Sequence, residues 1–264
     1  MTSYDNYRTQ TQRVRGGLVR SQFGETSEAI FMNSGYVFQS AEEAKARFAG
    51  ETEGYLYSRY GNPTVSMFED RMALNEGSEA CFATASGMAA MFSALMCFLK
   101  TGDEVVASWS LFGSCYHVFD QILPRYGIKT HLIEGTNIEE WKKYINKNTK
   151  CVFIETPSNP TMEIVDIEAV SKIAHQYEAK VIVDNIFASP VLQKPISLGA
   201  DIVIYDATYT DEEYPNYVGW GHSTWREGIK LCEAASADKL VIFHHDPSHN
   251  DQTMDDIAET AEAE

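Results

Sequence analysis

Positive charge is scarce in this sequence: 21 Lys and Arg stand against 38 Asp and Glu, a net of −17 over 264 residues. So acidic a chain repels phosphate backbones and anionic lipid, which excludes nucleic acid or a membrane surface as partners held by bulk attraction. Cysteine is sparse too. Cys81, Cys97, Cys115, Cys151 and Cys232 are odd in number, scattered and never in C-x-x-C spacing. That excludes a disulfide frame or a zinc knuckle and fits free thiols in a reducing compartment. The polar N-terminus, MTSYDNYRTQTQRVR, lacks the apolar core of a secretory leader, so a cytoplasmic protein is expected. Long uncharged runs are few. Residues 80–99 form one of about twenty residues, long enough to span a bilayer, but Thr84, Ser86 and Gly87 interrupt it. A buried strand–turn–helix unit is the expected outcome.

What is present is a run of short apolar segments alternating with amphipathic ones from residue 80 onward. The pattern predicts strands at 80–84, 104–108, 129–133, 150–155, 180–184 and 201–205. It predicts helices at 87–99, 112–126, 138–146 and 166–178. Strand–helix alternation with β-branched runs such as Val181-Ile182-Val183 argues for an α/β layer on a largely parallel sheet. Residues 1–60 have weak periodicity and read as an N-terminal arm with one helix near 40–49, ahead of an α/β domain over 61–205. The texture changes after Tyr205. Residues 206–264 hold 14 of the acids against Arg226, Lys230 and Lys239, a net of −11, which leaves −6 for residues 1–205. A helix near 224–236, opened by a Thr224/Glu227 capping box, and a strand at 239–243 are expected in this tail.

In open α/β sheets ligands sit at the carboxyl ends of strands, so the residues just after each strand matter most. Ser86-Gly87-Met88 opens a helix, where free backbone N–H groups can hold a phosphate; a plain tight turn is the alternative. Asp184 ends an apolar strand, where a carboxylate can pair with a protonated ring nitrogen or cap the next turn. Phe112 can stack on a ring face or sit in the core. Asn159, in the rigid Thr-Pro-Ser-Asn-Pro turn, can hydrogen-bond a phenolic oxygen. Tyr57 and Arg59 offer a hydroxyl and a guanidinium, a good pair for phosphate, or form a surface turn. A carboxylate on a pyridinium nitrogen, an aromatic lid and a phosphate cradle are the set that pyridoxal phosphate (PLP) requires.

The segments GYVFQSAEEAKARFAGE, YSRYGNPT, ATASGMAA, SLFGSCY, IETPSNPT, VIVDNIFASP and LGADIVIY are ordered and jointly specific. Through residue 205 the chain resembles the cystathionine γ-synthase-like family of Cys/Met-metabolism PLP enzymes. The resemblance implies a type I, aminotransferase-like PLP fold in a homotetramer built from dimers, and γ-replacement on an acylated homoserine with sulfide. It also implies roles. Gly87 and Met88 would hold phosphate through backbone N–H groups, Phe112 would stack on the ring, and Asn159 and Asp184 would contact its oxygen and nitrogen. Tyr57 and Arg59 would reach the phosphate of a neighbouring subunit's cofactor, and Thr208 would supply a phosphate-binding hydroxyl.

The resemblance breaks at Asp206-Ala207-Thr208-Tyr209. The family pattern there is Ser-Ala-Thr-Lys, and that lysine condenses with the aldehyde of PLP and shuttles protons. A phenol cannot form an imine, and no lysine lies between Lys194 and Lys230. PLP is therefore expected to bind without a covalent link, if it binds, and γ-replacement to be nearly abolished. The family's C-terminal domain is not recognised after this point. The tail, through DATYTDEEYP, GWGHSTW and LVIFHHDPSH, instead resembles the end of a metallo-β-lactamase-fold hydrolase of the phosphodiesterase-like branch. That likeness would make Asp206 and His244 metal-ligand remnants and His222 a proton-transfer remnant, although the family's N-terminal His-x-His-x-Asp-His motif is missing; a polar strand-end cluster is the other reading. Four outcomes are expected to compete. They are a truncated, chimeric PLP enzyme, a metal-dependent phosphodiesterase-like fragment, a non-catalytic subunit joined to an intact homologue, and a product with no function.

Overall fold

The structure, a computed structural model, describes residues 8–204. They belong to two compact units, Met1–Thr84 and Ala85–Glu264. The first unit holds three helices, α1 (Thr9–Arg15), α2 (Ala41–Phe48) and α3 (Pro63–Glu76). Ser40 caps α2 by accepting from the Glu43 N–H at 3.1 Å, and Asn62 caps α3 by accepting from the Thr64 N–H at 2.9 Å. Pro63 then pre-sets the first turn of α3, and Gly77, at φ 74°, ends it in the left-handed region. Gly17 lets the chain after α1 lie on α3. A Cβ there would come within 2.6 Å of the Met67 carbonyl oxygen.

The second unit is built on a five-stranded sheet, β1 (Glu104–Ser108), β2 (Lys129–Ile133), β3 (Thr149–Glu155), β4 (Lys180–Asp184) and β5 (Ile202–Ile204), in the order β2-β1-β3-β4-β5. Every pairing is parallel. A parallel sheet is stable when both faces are covered, and alternate residues of each strand enter different cores. Val105, Ala107, Cys151, Phe153 and Ile182 pack with Met91, Leu95, Cys115 and Phe119 on one face. Val106, Val152, Ile154, Val181 and Val183 pack with Trp141, Ile167 and Val170 on the other. The first face is covered by α4 (Gly87–Met96) and α5 (Gly113–His117), the second by α6 (Ile138–Tyr144) and α7 (Ile167–Ala174). A short α8 (Ser189–Leu192) follows β4.

The expected α/β layer and parallel sheet are present, with four corrections to the elements. Residues 80–84 join no ladder among the described strands; their apolar side chains suit a strand, yet pairing partners decide whether one forms. The single helix expected over 112–126 is α5, a π-turn at Val118–Ile122 and a 3₁₀ turn at Leu123–Tyr126, because Pro124 denies the run an N–H donor. Helices α1 and α3 and the short α8 were not foreseen: α1 lies in the stretch read as an arm with one helix near 40–49, and the apolar residues of α3 are too irregular in spacing for its capping signals to stand out. The helix expected over 166–178 yields to a 3₁₀ turn at His175–Tyr177. Among the described residues no helix is long and apolar enough to cross a membrane; α4, in the uncharged stretch, has 10 residues. The predicted elements at 224–236 and 239–243 lie outside the described residues.

Phe153 is fully buried, its ring 5.0 Å from that of Phe119. Phe153→Ala should lower unfolding free energy by about 3–5 kcal/mol. Val37→Ala, at a side chain 89% exposed, should change it by no more than about 0.5 kcal/mol. Urea unfolding of the full chain measures both.

Candidate functional site

The carboxyl edge of the sheet is set by register. Glu155 closes β3 directly opposite Asp184, which closes β4. Parallel neighbours in register point the same way, so both carboxylates face the side covered by α4 and α5. Both are buried, Glu155 at 1% and Asp184 at 6% exposure. From α5, the Cys115 thiol completes a trio of donor atoms lying within 4.8 Å of one another. Cys115 Sγ also lies 3.8 Å from Met88 Sδ, which brings the start of α4 to the same place.

Each member of the trio has its own electrostatic state. The Glu155 carboxylate accepts the Phe112 N–H at 2.7 Å on one oxygen and the Asn159 N–H at 2.6 Å on the other. Burial nevertheless pushes its pKa up to about 7, against the two hydrogen bonds that favour the charged form. Asp184 Oδ1 accepts the Ile186 N–H at 3.2 Å, so it caps the turn after its strand while its buried carboxylate faces the α4 and α5 side. Burial raises the Cys115 thiol far above its ordinary range, and the nearby carboxylates add to this. Three such donors are close enough for one metal ion. Both Glu155 oxygens are engaged by backbone N–H groups, however, so the trio forms a buried polar floor.

The loops over this floor are fixed by side chains. Gln193 Nε2 donates to the Thr156 carbonyl at 2.9 Å and to Asn185 Oδ1 at 2.8 Å. That ties the loop after β3 to the loop after β4. Thr156 Oγ1 accepts the Val165 N–H at 3.0 Å. Ser86 caps α4 by accepting the Ala89 N–H at 3.2 Å. Gly87 and Met88 then occupy the first turn, where N–H groups have no partner within a helix.

Of the residues singled out from sequence, Gly87, Met88, Phe112, Asn159 and Asp184 belong to the second unit, at the carboxyl edge and the start of α4. Phe112 is half-buried against the α4/α5 core. Tyr57 and Arg59 belong to the first unit and are exposed, with the guanidinium 4.8 Å from the Tyr60 ring centre. Asp206, Thr208, Tyr209, His222 and His244 lie outside the described residues. Sequence reasoning passed over Glu155 and Cys115. Glu155 carried a usable signal, since it ends an apolar strand in the same way as Asp184.

The raised pKa of Glu155 has a definite stability consequence. Below about pH 4.5 the carboxyl is protonated in folded and unfolded chains alike. As pH rises toward about 7, the unfolded chain ionises first and stability falls, by about 3 kcal/mol in all, then levels off. The stability of Glu155→Gln minus that of the natural chain should therefore rise with pH across this window; urea unfolding at pH 4.5 through 8 measures the slope, and a flat or falling difference contradicts it.

Comparison with known proteins places this geometry. Residues 10–245 match the family model described as Cys/Met metabolism PLP-dependent enzyme. An O-succinylhomoserine sulfhydrylase of Mycobacterium tuberculosis is 52% identical over 198 residues, 75% of this chain and 49% of that protein. An L-methionine γ-lyase of Fusobacterium nucleatum is 40% identical over 231 residues, 87% of this chain and 56% of that one. A crystal structure of a putative O-acetylhomoserine (thiol)-lyase from Campylobacter jejuni, which carries N′-pyridoxyl-lysine-5′-monophosphate, is 32% identical, with a TM-score of 0.73 over 76% of this chain and 48% of that one. The chain spans about half the length of the curated relatives it matches. The family match runs past residue 206, where a change to a second fold was expected, and reaches residue 245. A match of this extent shows that the chain belongs to the Cys/Met metabolism PLP-dependent enzyme family.

Proposed function

We propose that this chain binds pyridoxal phosphate without a covalent link, and that it descends from the sulfhydrylase branch, which acts on O-succinylhomoserine, rather than from the γ-lyases. The higher identity to the sulfhydrylase supports the branch. One observation carries the cofactor reading. Asp184 is a buried carboxylate at the carboxyl end of a central strand, on the same edge as Phe112 and Asn159. A site of this chemistry fits the ring side of the cofactor. Asp184 would hold a proton on the ring nitrogen, Asn159 would engage the ring oxygen, and Phe112 would cover a ring face. The first-turn N–H groups of Gly87 and Met88, with Thr208, would receive the phosphate. When bound, the cofactor supplies an electron sink for carbanion chemistry at an amino-acid substrate.

The same reading denies the chain a fast reaction. Position 209 holds a phenol, which neither condenses with an aldehyde nor moves protons at neutral pH as a catalytic amine does. PLP should titrate in reversibly and dialyse away. Borohydride followed by peptide mass mapping should leave every native lysine unlabelled, whereas Tyr209→Lys should acquire a pyridoxyl group at that position. Asp184→Ala should weaken the cofactor by about tenfold or more. A pyridoxyl label on a native lysine, or no PLP affinity in the natural chain, defeats the proposal.

A second reading, a non-catalytic subunit, draws support from Tyr57, 46% exposed, and from Arg59 beside it. In that role the pair would be lent to the phosphate site of an intact homologue in a hetero-oligomer. Co-expression with a full-length sulfhydrylase should then yield a co-purifying complex that Arg59→Ala weakens; a strictly monomeric product ends the idea. The phosphodiesterase-like alternative rests on Asp206, His222 and His244 alone, and the family match across them counts against it. Less than stoichiometric zinc or manganese after chelator-free purification would dispose of it.

A further inference from the structure

We infer that Glu155 is a positioning residue whose single carboxylate sets the spacing between the two loops that carry Phe112 and Asn159. The inference rests on the cofactor reading above and assigns a role to a residue that the reading does not use. The geometry is specific. One oxygen takes the Phe112 N–H at 2.7 Å and the other takes the Asn159 N–H at 2.6 Å, so two backbone positions 47 residues apart hang from one planar group only 1% exposed. Each loop has a local side-chain latch, Ser110 N–H to Ser108 Oγ at 3.2 Å and Glu163 N–H to Ser158 Oγ at 2.9 Å, but neither latch holds the Phe112 or Asn159 N–H. Phe112 is the residue before α5 and has no side chain able to cap it. Asn159 lies between Ser158 and Pro160, in a turn whose ladder ends at Glu155.

A second latch, made of hydroxyls, joins the same two loops. Ser110 Oγ lies 2.9 Å from Ser158 Oγ and also contacts Thr161 Oγ1, while Ser158 and Thr161 hydroxyls are 2.7 Å apart. The hydroxyls join residue 110 to residues 158 and 161, while the carboxylate holds the N–H groups of Phe112 and Asn159 themselves. Only a carboxylate accepts on both sides of one sp² carbon. Glutamine has the same shape but puts an N–H₂ group against one of the two N–H donors, and aspartate is one methylene too short to reach both.

Two measurements on the full chain test this. The first needs no variant. In an amide spectrum followed by pH, the N–H signals of Phe112 and Asn159 should shift together with one midpoint near that of Glu155, about 7. Separate midpoints, or no titration at either amide, overturn the inference. The second compares the natural chain with Glu155→Gln. Hydrogen exchange at Phe112 or Asn159 should quicken by about tenfold or more in the variant, as expected for losing a hydrogen bond to a charged group. The amides of Val152 and Val183 should keep their protection, and PLP should bind about tenfold more weakly. Unchanged exchange at both loop amides, or loosened loops with PLP affinity unaltered, refutes the positioning role. Loosened loops in the variant, together with a natural chain that never binds PLP, uphold the latch and refute the cofactor reading instead, so the two failures are distinct.

Discussion

The β3–β4 register is the constraint on which the second unit depends. It sets a glutamate and an aspartate opposite each other at the ends of two central strands and turns both toward the same covered face. Two buried carboxylates side by side are costly unless their oxygens find donors. The chain meets that cost with backbone. Phe112 and Asn159 give their N–H groups to Glu155, and Ile186 gives its own to Asp184. The loops that answer this demand are the loops from which the candidate cofactor contacts emerge. Site geometry and sheet register are thus one problem solved once.

How much of this could be read from the sequence depends on how local each signal is. Strands β1, β2 and β4 were legible residue for residue because their β-branched runs are short, apolar and bounded by turns. Asp184 was legible because an acid at the end of such a run is conspicuous. Glu155 ends a similar run and was hidden by its neighbours. The Thr-Pro-Ser-Asn-Pro turn drew attention to Asn159, and nothing local indicates that a side chain four residues upstream holds its backbone. The failures at 80–84 and 112–126 are of a different kind. A strand exists only with a partner, and the run to Tyr126 passes through Pro124, so the first outcome is settled by tertiary pairing and the second by one missing N–H. Helix α3 shows the reverse case, with strong caps at Asn62-Pro63 and Gly77 around an interior of indistinct periodicity.

Under the proposed function, family membership and chemical competence separate in this chain. The sheet, the two cores and the loop ties depend on residues spread over the second unit, and they keep the family's architecture. In the proposed reading, turnover depends on a primary amine at position 209, where a phenol stands. A scaffold assembled from many small packing contacts does not depend on the ability of any one side chain to form an imine. Binding energy for a ring and a phosphate can therefore outlast the ability to use them.

Cys115 carries a consequence of the same arrangement. Its sulfur is enclosed by hydrocarbon and faces two carboxylates, so the thiolate needed for attack on an electrophile is strongly disfavoured. Among the described cysteines, Cys97 is exposed while Cys115 and Cys151 are buried. Of the described cysteines, alkylating reagents should therefore consume Cys97 first and leave Cys115 untouched while the sheet edge stays closed. The rate at which that buried sulfur is modified becomes a clock for how often the polar floor opens to water.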